Sequence, residues 1–502
     1  MRQQELFQQI RQKMVDYLVY LQDEPQEEYK EFEDFIRQVL FEEEADLSYK
    51  LKYDLKTSYK NPEIHDVLTN VKIEPGEVEA GLKWQIEQLN QGLRSYIHIS
   101  LLDWSESEVI ENSIQEKLQS GSEIKRIVLN ACSLEYIPVF LRSLVEVEEL
   151  SASQNQLSHD VFFPFDVSRL TYLSMISNPF GKFPSDILKC KSLRELHLEN
   201  TQLSDIPSDF RNMKAIEVLN LSRNQLETLP TFLSGLNRLK VLEIQSNRIS
   251  ELGDFMKGTV SLEYLYANNN YLKGIHGAIG NLSMLRQLVL RDNKLIELPP
   301  SFCLLKSLEF ADLSDNLLET LPSDIGRLKK LRQLRLDRNK LSVLPDSIVE
   351  LEQLKHLYLS ENSLERLPDQ IGHFAELEHI LLSENNLSDL PISFSNLEKL
   401  EYLNCSGNSF ATIPKCLQKM PNLEEIDFSE NPISIIDKWL IEMPYLSYIN
   451  LSNSRVTITD IRQAITGITV GEDKYLTIEL TDLGITDVPD DIKDIEWLEI
   501  II

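Results

Sequence analysis

Residues 331–345 read LRQLRLDRNKLSVLP, and residues 354–368 read LKHLYLSENSLERLP: one frame, repeated 23 positions on. Begun at Ile124, the frame returns at every 23rd residue as far as 446, fifteen units without an insertion. A fixed period of this size is the mark of a solenoid built from stacked supersecondary units. Within a unit, the alternation Leu334, Arg335, Leu336 is that of a short strand with one buried face. Strands stacked in parallel give each backbone donor and acceptor a partner in the next unit. An asparagine follows each strand, at 224, 247, 270, 293, 316, 339, 362, 385, 408 and 431. Its amide can both donate to and accept from backbone groups inside a turn, which an apolar side chain cannot do. The closing Leu-Pro belongs on the outer, convex side, where an extended or turning chain does not need the proline N–H. One unit cannot bury its own leucines, so the array folds only as a stack.

These residues resemble the leucine-rich repeat superfamily, with the frame L-x-x-L-x-L-x-x-N-x-L-x-x-L-P-x-x-I. The 23-residue length and Leu-Pro closure are similar to intracellular Ras-group scaffold repeats and to bacterial repeats of the same type. The resemblance implies an α/β horseshoe with a concave parallel sheet, acting as a non-enzymatic protein-binding scaffold in signalling. By analogy of fold alone, it also implies a small GTPase or another signalling component as partner.

Bulk composition narrows the partners. Fifty Lys+Arg against eighty Asp+Glu give 502 residues a net charge of −30. Such a chain repels polyanions, which argues against nucleic acid and anionic membrane surfaces as partners. No signal-peptide core opens the sequence and no run of 18 apolar residues occurs, so a cytoplasmic protein is expected. The five cysteines, 132, 190, 303, 405 and 416, are odd in number and widely spaced. Cys132 takes the asparagine slot and Cys405 a core-leucine slot, as small buried residues do, and the expected compartment is reducing.

Four regions follow. Residues 1–92 form an α-helical N-terminal module, with apolar residues at helical spacing over 2–22, after Pro25 and after Pro75-Gly76. Its acidic run Glu42, Glu43, Glu44, Asp46 reads as a solvated helix face. Residues 93–123 are an irregular capping repeat. It holds a strand through Ile97, Ile99 and Leu101, then a helix entered by a capping box at Ser105 and Glu108. The regular repeats occupy 124–468. Irregular C-terminal repeats fill 469–502, with a helix over 459–465 just before them and strands at LTIEL and at Leu498–Ile500. An uncovered C-terminal edge strand, or the N-terminal helices, would be the route to self-association.

Departures from the frame are few. The units at 239 and 262 replace Leu-Pro by Leu252-Gly253 and Ile275-His276, and the latter carries Gly274, Gly277 and Gly280. That cluster lacks the Gly-Lys-Ser/Thr ending of a phosphate loop and reads as an altered convex turn. No Gly-x-Ser-x-Gly, His-Glu-x-x-His or Walker sequence is present, so no catalytic residue, metal or cofactor is assigned.

Binding residues are sought instead on the concave face, where the positions beside the buried leucines point outward. In the middle and later units these are Tyr264, Tyr266, Phe310, Arg335, His356, Tyr358, His379, Leu381 and Tyr402. They should face solvent, and exposed Tyr, Phe and Arg in one patch are the usual chemistry of protein-binding hot spots. His356 and His379 share a slot in adjacent units, about 5 Å apart, and read as surface histidines more readily than as metal ligands. A different class of function is also open: a secreted effector, or a ligase-like enzyme that uses the repeats to select its substrate. Against the enzyme, no cysteine nucleophile precedes Cys132.

Overall fold

In a computed structural model, the described residues are 96–98, 124–144, 146–468 and 475–502. The chain divides into two units, 1–123 and 124–502. In the first, the described segment is a strand, β1 (Tyr96–His98), inside the stretch where alternation predicts one. The helices expected over 1–92 and after Ser105 lie outside the described residues.

The second unit is a parallel sheet of seventeen strands. It runs from β2 (Arg126–Val128) at 23-residue intervals to β16 (Tyr448–Asn450), then β17 (Leu476–Glu479) and β18 (Leu498–Ile501). Register is in phase throughout: Gln333 pairs with His356, His356 with His379, and His379 with Tyr402. The central apolar residues of these strands, Leu334, Leu357, Ile380 and Leu403, are at most 1% exposed. Burying such side chains contributes about 1.5–3 kcal/mol each, the main term holding the stack together.

Past each strand the asparagine ties its own unit to the one before it. Asn339 Nδ2 donates to the carbonyls of Leu313 (3.0 Å), Leu336 (3.0 Å) and Asp337 (3.2 Å). Its Oδ1 accepts from the N–H of Leu318 at 3.0 Å. Asn155 and Asn178, earlier than the series read from sequence, make the same bonds. Where the slot holds Cys132 or Thr201, the backbone N–H donates instead to Oδ1 of Asn155 or Asn224 in the next unit.

The residue before that slot is left-handed in all fifteen units, from Ala131 (φ 55°) through Arg338 (52°) and Glu384 (52°) to Asn453 (55°). Only Gly407 is a glycine there. A non-glycine residue in this region costs on the order of 1 kcal/mol, which the asparagine bonds closing the same turn offset.

On the convex side the Leu-Pro closure leads into one turn of 3-10 helix. Leu344 is 2% exposed, Pro345 is extended (φ −67°, ψ 143°), and residues Asp346–Glu350 form the turn. The turn survives where proline is missing: His276 Nδ1 accepts from the Ala278 N–H at 3.0 Å and starts Gly277–Asn281. A Cβ on Gly280 would stand 2.8 Å from the Ser301 carbonyl oxygen, so this glycine allows successive convex turns to approach. Within the glycine cluster, Gly280 is therefore a packing residue, whereas Gly274 meets no neighbour.

Past β16 the period breaks as read. The helix Ile458–Ile465 opens on a capping box in which the Thr457 N–H donates to Asp460 at 2.8 Å. The last strand, β18, pairs with β17 from Leu476↔Leu498 to Glu479↔Ile501.

Candidate functional site

Among the described residues, no element crosses one face of the sheet. Its side chains come from the two positions flanking each buried leucine, and the in-phase register sets them in straight columns. Tyr358 is paired across strands with Arg335 on one side and Leu381 on the other. Over β11 (Gln333–Arg335), β12 (His356–Tyr358), β13 (His379–Leu381) and β14 (Tyr402–Asn404) the side chains form one continuous layer. The Arg335 guanidinium stands 4.9 Å from the Tyr358 ring centroid. His356 stacks on Tyr358 (6.4 Å, 23°) and on His379 (5.0 Å, 21°), and His379 meets Tyr402 at 6.5 Å.

Tyr264 and Tyr266 belong to β8 (Tyr264–Tyr266) and Phe310 to β10 (Phe310–Asp312), with β9 (Gln287–Val289) between them. The Tyr266 hydroxyl donates to Gln287 Oε1 at 3.0 Å. All nine residues named from the sequence thus lie on the same face. They are not freely exposed, as the sequence reading expected, but half-buried. At a strand spacing of about 4.8 Å, large neighbours in one column touch and shield each other.

That packing sets the electrostatics. Burial first, and then the neighbouring His379, push the His356 imidazole below its ordinary range. Its Nδ1 is buried without a hydrogen-bond partner. The two rings lie nearly face to face, which turns their nitrogen lone pairs side by side and not toward a common point. Glu378, the carboxylate that acts on both imidazoles, is held by Lys355 at 2.6 Å, and Glu361 by Arg338 at 2.8 Å. Among the described residues no group of three or more His, Cys, Asp or Glu could hold a metal ion.

A third column, after the last strand leucine, escaped the sequence reading although the same register contains it. Ser360 and Ser383 share a hydrogen bond of 2.8 Å, and Ser429 donates to Asp427 at 2.6 Å. Asp337 accepts the Ser360 N–H at 3.0 Å, but burial dominates and raises its carboxyl above the usual range. Burial does the same to Glu243, beside Gln245 (3.4 Å).

Sequence families match this part of the chain directly. One described as leucine-rich repeat region matches residues 344–451, and one described as leucine rich repeat matches four overlapping stretches between 191 and 364. Together they span most of the array. The chain belongs to the leucine-rich repeat proteins. Among solved structures, a leucine-rich repeat protein of Leptospira interrogans is similar at 24% identity and a TM-score of 0.66. The match covers 77% of this chain and 97% of that one. The Drosophila Toll–Spatzle complex is similar at 22% identity and a TM-score of 0.56, over 74% of this chain and 52% of that one. PEPR1–AtPEP1 follows at 23% and 0.53, over 75% and 62%. At these identities the likeness is one of fold. No curated protein matches the chain.

Leucine-rich repeat folds are in general binding scaffolds and not enzymes. Among the described residues no helix is long and apolar enough to cross a membrane.

Proposed function

We propose that the concave face from β8 to β14 holds a partner protein, through Tyr264, Tyr266, Phe310, Arg335, His356, Tyr358, His379, Leu381 and Tyr402. The observation that carries this reading is the Arg335–Tyr358–His356–His379–Tyr402 layer on an open sheet. Rings locked by their neighbours lose little entropy on binding, and Tyr and Arg dominate hot spots for that reason among others. Two of the similar folds were solved as complexes, Toll with Spatzle and PEPR1 with AtPEP1, and a protein or peptide ligand is the class proposed here.

Five free cysteines, four of them buried, suit a reducing compartment, and the proposed setting is intracellular signalling in the cytoplasm. Cell fractionation tests the compartment. The site is tested by affinity capture with the full chain, comparing wild type with Tyr358→Ala/Tyr402→Ala. Loss of the captured partner supports the reading, and undiminished capture overturns it. Comparison with residues 93–502 shows which module carries the partner, and the N-terminal module is proposed to tether a second component or a second copy.

A further inference from the structure

Along the array, the position just before each strand changes character. In earlier units, four acids there pair with a base on the neighbouring repeat, Lys125–Glu148 (3.6 Å), Lys240–Glu217 (2.8 Å), Arg286–Glu309 (3.1 Å) and Lys355–Glu378 (2.6 Å), and Glu263 has Lys240 and Arg286 at the same position on either side. After Glu378 the pairing stops. Glu401 and Glu424 take the same position, and Glu425, Asp427 and Glu479 follow on the face itself. Among the described residues these five make no ion pair, and on the two face columns no Lys or Arg follows Arg335.

These carboxylates sit among aromatic rings. Glu425 lies in register between Tyr402 and Tyr448, and Asp427 between Asn404 and Asn450. Asp427 is fixed by the Ser429 N–H (2.9 Å) and hydroxyl (2.6 Å), and the Tyr448 hydroxyl donates to Glu479. Glu401 and Glu424, on neighbouring repeats, are like charges that make no ion pair among the described residues, a destabilising arrangement that an outside cation would relieve. The molecule also shows how this face receives one: Arg335 rests its guanidinium on Tyr358 at 4.9 Å.

We propose that β14, β15 (Glu425–Asp427), β16 and β17 dock an arginine-rich extended segment of the partner protein. Guanidinium groups would lie on Tyr402 and Tyr448 while pairing with Glu425, Asp427 and Glu479. The inference rests on the concave-face reading above and adds to it the chemistry of the partner and the end of the array it uses.

The test is fluorescence anisotropy of the full chain with labelled twelve-residue probes (roughly 40 Å extended) of alternating Arg-Gly or Glu-Gly. Glu425→Gln/Asp427→Asn/Glu479→Gln keeps side-chain shape and removes three charges. Asp346→Asn/Glu365→Gln/Asp369→Asn removes three exposed charges from outside the sheet face. The inference expects the Arg-Gly probe alone to bind, about tenfold more weakly in the first variant and within about twofold of wild type in the second. Equal weakening in both variants would mean attraction to net charge only, and no weakening in the first would leave these carboxylates without a role; either overturns the proposal. Glu425→Gln alone, at an exposed position, repeats the test should the triple variant fold poorly. Tyr264→Ala/Tyr358→Ala separates the two readings, because these residues lie outside the acidic strands. Partner capture lost with probe binding intact upholds both, whereas both intact sinks the central patch and leaves the acidic end standing.

Discussion

The rings of His356 and His379, one repeat apart, stack with centroids 5.0 Å apart and planes 21° from parallel. Burial already disfavours the His356 imidazolium, and a second positive charge at this distance disfavours it further. The folded-state value therefore lies below the ordinary 6.5, while the unfolded chain titrates near it. As pH falls below about 6.5, the unfolded state takes up a proton that the folded state does not, so stability falls with pH until the folded group also titrates. Thermal melts from pH 7.5 to 5.5 should show a larger loss for wild type than for His356→Gln. Equal losses would remove His356 as the source.

Asn339 is 8% exposed and holds four backbone groups. Asn339→Leu leaves those groups buried and unpaired, at about 1–3 kcal/mol for each unsatisfied group that cannot relax. Urea denaturation should report a loss of several kcal/mol, while Lys340→Ala, an exposed neighbour, should stay within about 0.5 kcal/mol.

The glycine cluster offers an internal control. Gly280→Ala drives a methyl into the Ser301 carbonyl and should cost about 1–3 kcal/mol, whereas a Cβ at Gly274 meets nothing within 4 Å. Gly274→Ala should therefore melt within a degree or two of wild type, about 0.5 kcal/mol or less. A comparable loss at both positions would count against close approach of the convex turns.

Glu384 occupies the left-handed position with φ 52°. Glu384→Gly should hold or gain stability, and Glu384→Val should lose about 1–2 kcal/mol, since a β-branched side chain suits this region least. Equilibrium unfolding of the pair measures the difference directly.

The architecture was legible because the frame is rigid: Leu334, Leu357 and Ile380 fall 23 apart, and parallel pairing puts them in line. The site columns were legible for the same reason. Their half-burial was not, since it depends on how far the rings of His356, Tyr358 and His379 reach across a strand gap. The left-handed position was hidden because Arg338, Glu361 and Glu384 share no chemistry that announces it. Nor did the acidic end stand out, because Glu401 and Glu424 look like Glu378 until the missing partner of Lys355's kind is noticed.

In-phase pairing, with Leu334 level with Leu357 and Leu357 with Ile380, carries a consequence for how such a chain can change. Excising or duplicating 23 residues, 216–238 for instance, rejoins the same ladder of bonds on either side. The binding groove can thus grow or shrink by one row at a time, so its length is an adjustable quantity set by copy number, independent of the residues that grip a ligand.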